Sequence, residues 1–383
     1  MINTNITIVG LGITSKLAAL TLAANNRKVM IIGDENSKNQ FSNLVTFFSL
    51  SSINFLKELN LEDVIKQSSS INEISCGKLE NLIKDHKFQI HFKDKNNELG
   101  RVISNKILNE KLDVKINENK NINISRNINI QNCQLSKEKN ILILESGEKI
   151  KTKLLIITEK KTNLLDQNFK NNLIKKDLKQ TSLVLDVKSK TKNHAYQIFT
   201  EKGAIAYLPI NENLASVIWS LDNSSDELDY SQEDILREIN KFYKEIIYCD
   251  EVLNMQKYKL QFEYAKKTFL QSIVLIGDAA HSIHPIAGQG LNLSIKDIVE
   301  LKNQIDKFNY LGYPLGNSLS LSEYANLRFS DTALYSFSTI YLDEIFKSRN
   351  YLLNKVSNFG IQSIEKNKII KDLIIQSATG QSN

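Results

Sequence analysis

A run of small residues near the start of the chain, Gly10-Leu-Gly-Ile-Thr-Ser15, has the spacing of a nucleotide-binding turn. Gly10 permits a tight turn after a strand, and Gly12 lets the backbone approach a pyrophosphate at the positive end of a helix. The third position, Ser15, must stay small so that helix and strand pack closely. Ordinary strand-to-helix turns share this spacing, but the apolar segments on both sides favour dinucleotide binding.

An acidic residue that binds the ribose hydroxyls is expected about 20 residues further on. In this chain the second apolar run ends at Gly33, and Asp34 follows it. The acid is therefore displaced by one position, and we predict that Asp34 binds the ribose.

A second block, from Gly277 to Leu293, combines a carboxylate with a glycine-rich turn. Its candidate binding positions are Asp278, Pro285, Gly288, Gln289, Gly290, Leu291 and Asn292. A carboxylate at the end of a buried strand can accept hydrogen bonds from a polyol, and backbone N–H groups at a helix start stabilise negative charge. The proline fixes the loop between them. This combination suits a ribityl chain and a reduced flavin ring.

Two histidines within this block, His281 and His284, could in principle bind a metal ion. His281 and His284 lie three residues apart, but no third ligand is near them in the sequence, so we predict no metal site. Packing and hydrogen bonding around the loop are favoured for both, and a role as catalytic base is left open. We interpret His86, His91 and His194 as surface or strand residues. Apart from that open alternative, no side chain is predicted to act as a catalytic acid, base or nucleophile.

The elements that must position these residues begin with a βαβ unit: a strand at 5–10, a helix at 13–24 and a strand at 28–33. Further buried strands are predicted at 154–157 and 272–277, and helices at 51–66 and 103–114. The pattern predicts an α/β fold with a Rossmann-like domain. Segments between 115 and 150 are expected to form a meander of edge strands.

Strand patterns at 181–187, 204–208 and 215–220 predict a second, mainly antiparallel sheet, in which Trp219 is interpreted as core. A helix is expected at 232–245, and the chain is helical from about 320 onward. The predicted nucleotide-binding domain is discontinuous and comprises 1–70, 99–170 and 258–320. Residues 71–98 and 171–257 form the second domain, and 321–383 the C-terminal helices.

Composition excludes several classes of protein. The chain has 383 residues, of which 42% are hydrophobic and 24% charged, so wholesale disorder is excluded. With 14 glycines and 3 prolines it is neither collagen-like nor a Pro-rich linker. The net charge of +6 is spread along the sequence, which argues against a nucleic-acid partner. Three widely spaced cysteines favour a reducing compartment, and no apolar run is long enough to span a bilayer.

The block from Gly277 to Leu293 matches GDAAHxxHPxAGQGxNL without a gap. It resembles FAD-dependent aromatic hydroxylases of the para-hydroxybenzoate hydroxylase type, and most closely the ubiquinone-biosynthesis hydroxylase family. Leu99–Leu112 is similar to that family's LGxVxxNxxLxxxL helix. Phe199–Pro209 and Ser216–Ser220 are similar to its substrate-facing sheet. The resemblance covers nearly the whole chain.

The resemblance implies that Gly10, Gly12 and Ser15 hold the FAD pyrophosphate, that Asp278 binds a ribityl hydroxyl, and that 288–292 line the isoalloxazine. It implies a monooxygenase that uses NAD(P)H, O2 and a flavin hydroperoxide to hydroxylate the ring of a polyprenylated ubiquinone precursor. Implied partners are other ubiquinone-biosynthesis proteins. The implied location is the cytoplasm, with contact at the inner face of the cytoplasmic membrane left open for C-terminal aromatics such as Tyr335, Phe337, Tyr341, Phe346 and Tyr351.

Several positions depart from the family pattern. The family's second nucleotide motif, Ala-Asp-Gly followed by an arginine, reads Thr158-Glu-Lys160 in this chain, with Asp166 in the arginine position. Leu44 stands where the family has an arginine that contacts the flavin. Gly33 stands where the family has the acidic residue that binds the ribose. We interpret Lys160 as a candidate partner for a phosphate, with the alternative that it points to solvent.

Two other functions therefore stay open alongside the hydroxylase. One is a non-catalytic paralogue that serves as a scaffold in a ubiquinone-biosynthesis complex. The other is a reductase on the same fold. The ring carbon that is hydroxylated, the choice between NADH, NADPH and a separate reductase, and the oligomeric state are not determined by the sequence.

Overall fold

The computed structural model describes residues 1–34, 44–85, 88, 90–93, 98–135, 140–243, 246–282 and 290–347. Its strands are β1 Ile2–Val9, β2 Val29–Gly33, β3 Val45–Ser49, β4 Ser69–Ile71, β5 Glu73–Lys78, β6 Ile90–Lys93, β7 Gly100–Ser104, β8 Ile122–Arg126, β9 Ile130–Gln134, β10 Asn140–Leu144, β11 Lys149–Ile157, β12 Leu173–Lys188, β13 His194–Thr200, β14 Gly203–Asn211, β15 Leu214–Asp222, β16 Glu251–Ala265, β17 Phe269–Leu270, β18 Ile273–Leu275 and β19 His281–Ser282. Its helices are α1 Ile13–Leu22, α2 Leu50–Glu58, α3 Glu62–Lys66, α4 Leu79–Asp85, α5 Asn105–Glu118, α6 Asn163–Asn168, α7 Gln232–Tyr243, α8 Gly290–Tyr310 and α9 Ser318–Lys347.

The first sheet has the order β17-β18-β11-β1-β2-β8, with β10 and β9 attached to β11. Strands β18, β11, β1, β2 and β8 are parallel to one another. Apolar side chains alternate between its two faces: Ile6 and Ile8 pack with α1, α5 and α8, whereas Val9 and Ile157 pack on the opposite side. Parallel strands covered on both faces confirm the predicted α/β class with a Rossmann-like domain.

The second sheet has the order β19-β16-β12-β15-β14-β13-β5-β6, and every pair except β13 with β5 is antiparallel. This confirms the predicted, mainly antiparallel sheet. Helix α7 lies on one face, where Trp219 and Tyr207 are buried with Ile235. The predicted core position of Trp219 is therefore confirmed. A small third sheet, β3-β7-β4, packs against the other face through Phe47 and Leu208.

The helix predicted at 51–66 is divided into α2 and α3. Asn60 adopts φ +54°, a left-handed conformation that asparagine tolerates better than most residues. The Leu61 N–H donates to the carbonyl of Leu56, which closes the helix end in the pattern of a Schellman motif. Sequence periodicity continued across this break because Leu61, Val64 and Ile65 are buried in the same core as α2.

The helix predicted at 103–114 begins later, at Asn105, and the family-like segment 99–112 is a strand followed by a helix. Residues 100–104 form β7 because β3 and β4 pair with it on both sides. Ser104 accepts a hydrogen bond from the Ile107 N–H and caps α5. The expected meander is limited to β9, β10 and β11, since β8 joins the parallel sheet beside β2.

The proposed domain boundary at 257–258 falls inside β16, which stays paired with β12 as far as Ala265. Residues 258–265 therefore belong to the second sheet and not to the nucleotide-binding domain. The helix predicted at the C-terminal end is present as α9, which is described as far as Lys347. The remainder of the predicted segment 321–383 lies outside the described residues. Within the described ranges, no helix has the length and apolar character needed to cross a membrane.

Candidate cofactor-binding site

The carboxyl ends of four neighbouring parallel strands meet along one edge of the first sheet. Gly10 follows β1, Thr158 follows β11, Asp34 follows β2, and Gly277 follows the end of β18 after one residue. Ligands of open α/β sheets bind at this edge, in the crevice outside the strand ends. The topology thus brings both glycine motifs of the sequence to one place.

Gly10 forms the turn between β1 and α1 with φ +126°, which disfavours any residue with a side chain. A β-carbon at Gly10 would lie 2.3 Å from the Thr158 hydroxyl. That hydroxyl donates to the Val9 carbonyl at 2.9 Å, so Ser15 donates its own proton to Thr158 at 2.6 Å. Ser15 therefore locks α1 onto β1 and β11, and its predicted contact with pyrophosphate stays a prediction.

The N-terminus of α1 is open towards the crevice. Gly12 occupies the cap position, no side chain caps the helix, and no acidic residue lies in its first turn. Among the residues that the structure describes, none would lie within 4 Å of a β-carbon at Gly12. Unpaired N–H groups, helix dipole and free space together fit a pyrophosphate anion.

Glu159 lies over the Gly10 turn, with its carboxylate oxygen 3.4 Å from the position of a β-carbon on Gly10. Burial, followed by the negative charge of Asp34, raises the pKa of Glu159 to about 7. A phosphate bound at this turn would face the same carboxyl. Glu159 is therefore placed to take up a proton when an anion binds near neutral pH.

Gly33 stands where the family has the acidic residue that binds the ribose, and the space around it favours glycine. A β-carbon there would lie 2.9 Å from the Leu11 side chain and 3.4 Å from the Gly10 backbone. The close approach of β2 to the glycine turn thus favours glycine at this position. Asp34, the next residue, is half-buried beside Glu159. It lies at the correct strand end for the predicted ribose contact, which stays a prediction.

The segment that begins at Gly277 packs against Thr14, which follows the Gly10–Gly12 turn. Gly277 has φ +59°, and a β-carbon on it would lie 2.9 Å from the Thr14 methyl group and 3.1 Å from the Ser294 hydroxyl. This close contact fixes Asp278, which follows in a single 3-10 turn, against the first turn of α1. Asp278 therefore lies beside the first turn of α1, and its predicted contact with a ribityl hydroxyl stays a prediction.

Lys160 does not point to solvent. Its Nζ donates to the Ser282 hydroxyl at 2.7 Å. Asp278 is exposed at the crevice. The protein around it still removes part of its water, and this desolvation raises its pKa, while the charges of Lys160 and His281 act in the opposite direction. Lys160 thus connects the altered second motif to the Gly277–Asp278 turn. Its predicted pairing with a phosphate stays a prediction.

Behind this turn, Asp297 of α8 is fully buried and binds three donors. It accepts from the Gly277 N–H at 3.0 Å, from His281 Nε2 at 2.6 Å and from Arg328 Nε at 2.8 Å. Burial works to raise the pKa of Asp297, but His281 and Arg328 hold it below its ordinary value. The carboxylate is therefore ionised, and His281 must donate through Nε2. This confirms the predicted packing and hydrogen-bonding role of His281.

The start of α8 is joined to β3 by Asn292. Its amide donates to the Phe47 carbonyl at 2.7 Å and accepts from the Ser49 N–H at 3.0 Å. A β-carbon on Gly290, which opens the helix, would meet no atom of the described residues within 4 Å, and Leu291 is half-buried beside it. These residues present a second helix N-terminus at the crevice. Four predicted positions, Pro285, Gly288, Gln289 and His284, lie outside the described residues.

Other departures from the family pattern have structural roles. The Leu44 carbonyl accepts from the Asn105 N–H at 2.9 Å, so this residue anchors the start of β3 to α5. Asp166 is exposed and lies 3.8 Å from Lys175 on β12. Sequence reasoning missed Asp297 and Arg328, although the spacing of Asp297, four residues from both Leu293 and Leu301 on the apolar face of α8, is a usable signal of a buried charge.

Comparisons with known proteins agree with this geometry. A family model described as an FAD binding domain matches residues 167–308. The ubiquinone biosynthesis monooxygenase COQ6 of Dictyostelium discoideum is 23% identical, and the match covers 99% of this chain and 91% of that protein. The 3-demethoxyubiquinol 3-hydroxylase of Escherichia coli is 24% identical, and the match covers 62% of each chain.

Solved structures share the fold. The p-nitrophenol 4-monooxygenase PnpA of Pseudomonas putida has a TM-score of 0.78 at 14% identity, and the match covers 100% of both chains. HpxO of Klebsiella pneumoniae, solved with FAD and uric acid, has a TM-score of 0.76 at 12% identity, with 98% of this chain and 96% of that chain covered.

Replacing Asp297 with alanine should destabilise the protein by about 3–5 kcal/mol, because His281 and Arg328 then lose a buried partner. Asp331 offers a matched control, since it also bonds Arg328 but is half-exposed, and Asp331→Ala should cost about 0.5 kcal/mol or less. The free energy of unfolding of both variants is measured by urea denaturation. Equal losses of stability would contradict the role given to Asp297.

FAD affinity should fall as the pH rises above about 7. Below the pKa of Glu159 its carboxyl is neutral and tolerates the pyrophosphate; above it the charged form repels the anion. The dissociation constant should rise by up to about tenfold per pH unit between about pH 7 and about pH 9. Glu159→Gln should abolish this dependence, and Asp166→Asn should preserve it. A slope that persists in Glu159→Gln would assign the titration to another group.

Proposed function

We propose that this chain, which belongs to the FAD-dependent hydroxylase family of ubiquinone biosynthesis, hydroxylates the aromatic ring of a polyprenylated phenol with O2 as co-substrate. The observation that carries the proposal is the convergence of the Gly10 turn, the Gly277–Asp278 turn and the N-terminus of α8 at one crevice. NAD(P)H, typical of the family, is the proposed reductant.

The residues described fit FAD at this crevice. Gly10 and Gly12 would receive the pyrophosphate at the start of α1, Asp34 the adenosine ribose, and Asp278 a ribityl hydroxyl. When bound, the flavin supplies the redox and oxygen chemistry of the reaction. The N-terminus of α8 supplies a fixed positive potential where negative charge must be stabilised, at the end of the crevice that Asn292 joins to β3.

The second sheet supplies the substrate side of the proposed site. Its face opposite α7 joins β3 and β7 in an apolar cluster that includes Phe47, Val102, Ala195 and Leu208. Helix α9 packs against β13 and β14, and Phe337 of α9 packs on Phe262 and Tyr264 of β16. These contacts cover part of the second sheet with apolar side chains, and the proposal places the substrate against that surface, because an oxygen-transfer reaction needs a site from which water is excluded.

The decisive experiment is complementation of a strain that lacks the corresponding ubiquinone hydroxylase. The wild-type chain should purify with bound flavin and restore ubiquinone synthesis, whereas Asp278→Ala should lose flavin and rescue because the ribityl contact is removed. Asp250→Ala, a change at an exposed aspartate immediately before β16, is the matched control and should rescue fully.

Circular dichroism establishes that each variant is folded. Rescue by a folded Asp278→Ala variant without flavin would favour the scaffold function and overturn the hydroxylase. Flavin binding without oxygen-dependent product formation would favour the reductase.

We further propose that the chain acts in the cytoplasm and contacts the inner face of the cytoplasmic membrane through α9, because a polyprenylated substrate partitions into lipid. Leu327 and Leu334 of this helix lie on one stripe and are 50% and 71% exposed. Tyr335 and Phe337 contact the protein itself, and the side chains of Tyr341, Phe346 and Tyr351 lie outside the described residues.

Vesicles of anionic phospholipid should sediment with the wild-type protein. The Leu327→Ser/Leu334→Ser variant should bind them several-fold more weakly, since the loss of buried apolar area removes part of the binding energy. Leu253→Ser, at an exposed leucine of β16, is the control and should bind normally. Identical sedimentation of all three proteins would exclude α9 as the contact.

A further inference from the structure

Two histidines and a glutamate lie together on the second sheet, at the edge formed by β6, β5 and β13. In the strand register, Glu73 is paired with His194 on one side and Lys93 on the other, and Ser75 is paired with His91. Paired residues share a face of a sheet, as do residues two apart on a strand. The register alone therefore brings Glu73, Ser75, His91 and His194 to one face.

The distances within this cluster suit a metal ion. One Glu73 carboxylate oxygen, Oε2, lies 3.7 Å from His91 Nε2 and 3.6 Å from His194 Nδ1. One ligand atom from each of the three residues lies within 4.8 Å of the others. Around zinc, bonds of about 2.0–2.2 Å in tetrahedral geometry place neighbouring ligand atoms about 3.3–3.6 Å apart. Small side-chain movements would bring all three atoms into a coordination sphere.

Ser75 orients both imidazole rings. Its hydroxyl contacts His91 Nδ1 and lies 2.7 Å from His194 Nε2, which are the nitrogens that face away from Glu73. A serine oxygen has two lone pairs and can accept an N–H from each ring. Both rings then present an unprotonated nitrogen to the space beside Glu73. Metal-binding histidines are held in this way by a hydrogen bond at the second nitrogen.

Lys93 bonds the carboxylate oxygen of Glu73 that does not face the histidines. Its Nζ lies 2.5 Å from that oxygen, Oε1. The His194 ring is further fixed by stacking on Tyr196, with ring centroids 4.2 Å apart. The carboxylate and this imidazole are thus positioned before any ion arrives, which reduces the entropy lost on binding.

We propose that Glu73, His91 and His194 bind a divalent transition-metal ion of the zinc type. Two imidazoles and one carboxylate favour zinc and its neighbours over Mg²⁺ or Ca²⁺, which prefer all-oxygen sites. The His91 side chain is 46% exposed, so the ion has access from solvent and keeps a fourth position for water. Nothing in the family resemblance assigns a metal to this chain.

A serine hydrolase arrangement does not fit the same residues. Ser75 and His194 are in hydrogen-bond contact, but Ser75 is fully buried and its hydroxyl cannot reach a substrate. The His194-to-Glu73 distance of 3.6 Å also exceeds a hydrogen bond. The cluster therefore supports metal binding and not nucleophilic catalysis.

The metal site is separate from the cofactor crevice. Ile74 and Ala195, which alternate with the ligand-bearing positions, point to the opposite face and pack with β3 and β7. An ion here would join the edge strand β6 to β5 and β13, and so would stabilise the free edge of the second sheet. This effect does not depend on the proposed function.

The test uses the flavin-containing protein, freed of metal with a chelator and titrated with zinc chloride by calorimetry. The wild type should bind one zinc ion per chain, and its melting temperature should rise with added zinc. Glu73→Gln and His194→Ala should each weaken binding at least tenfold and remove the zinc-dependent rise. Ser75→Ala should weaken it about 10–100-fold.

Glu80→Gln, at an exposed glutamate of the neighbouring helix α4, is the matched control and should bind zinc as the wild type does. Because His91 is half-exposed, His91→Gln is expected to fold, and loss of zinc binding in this variant supports the site. The proposal is overturned if the wild type binds no zinc, or if a His91→Gln/His194→Ala variant binds it with unchanged affinity.

Discussion

The geometry of the crevice depends on one buried carboxylate, Asp297. It accepts hydrogen bonds from a backbone N–H of the Gly277 turn, from His281 at the end of that turn, and from Arg328 of α9. A charge taken out of water is tolerated only when its hydrogen-bonding capacity is used, so these three partners are held at fixed positions. Through Gly277 and Thr14 the constraint reaches α1, and through α8 it reaches Asn292 and β3.

Much of the fold and of the site could be predicted from the sequence because the signals are local. The Gly10 turn, the buried strands and the Gly277–Asp278 turn each follow from short runs of residues. What could not be predicted depends on tertiary pairing. Residues 100–104 form a strand only because β3 and β4 lie on both sides of them, and the reach of the second sheet to Ala265 follows from the length of β12.

The departures from the family pattern are less disruptive in three dimensions than in the sequence. Glycine at position 33 is explained by the Leu11 side chain, and Leu44 acts through its backbone carbonyl. Ser15 keeps the small side chain that the third position of the turn requires and adds a hydrogen bond to Thr158. Lys160, which replaces the glycine of the second motif, is bonded to Ser282 beside Asp278. Ser15, Gly33 and Lys160 thus have contacts at the crevice, whereas Leu44 contacts α5 and Asp166 is exposed beside Lys175 of β12.

The order of strands in the sheets has a consequence for biosynthesis. Strand β11 pairs with β18, which is synthesised more than a hundred residues later. The pair β5 and β13 is separated in the sequence by a similar distance. Asp297 meets Arg328 later still, once the first turns of α9 have been made. Pairings so distant in sequence are slow to form, because long loops must close first. The nascent chain must therefore carry exposed strand edges while it emerges from the ribosome, and chaperones are expected to protect it until α9 is complete.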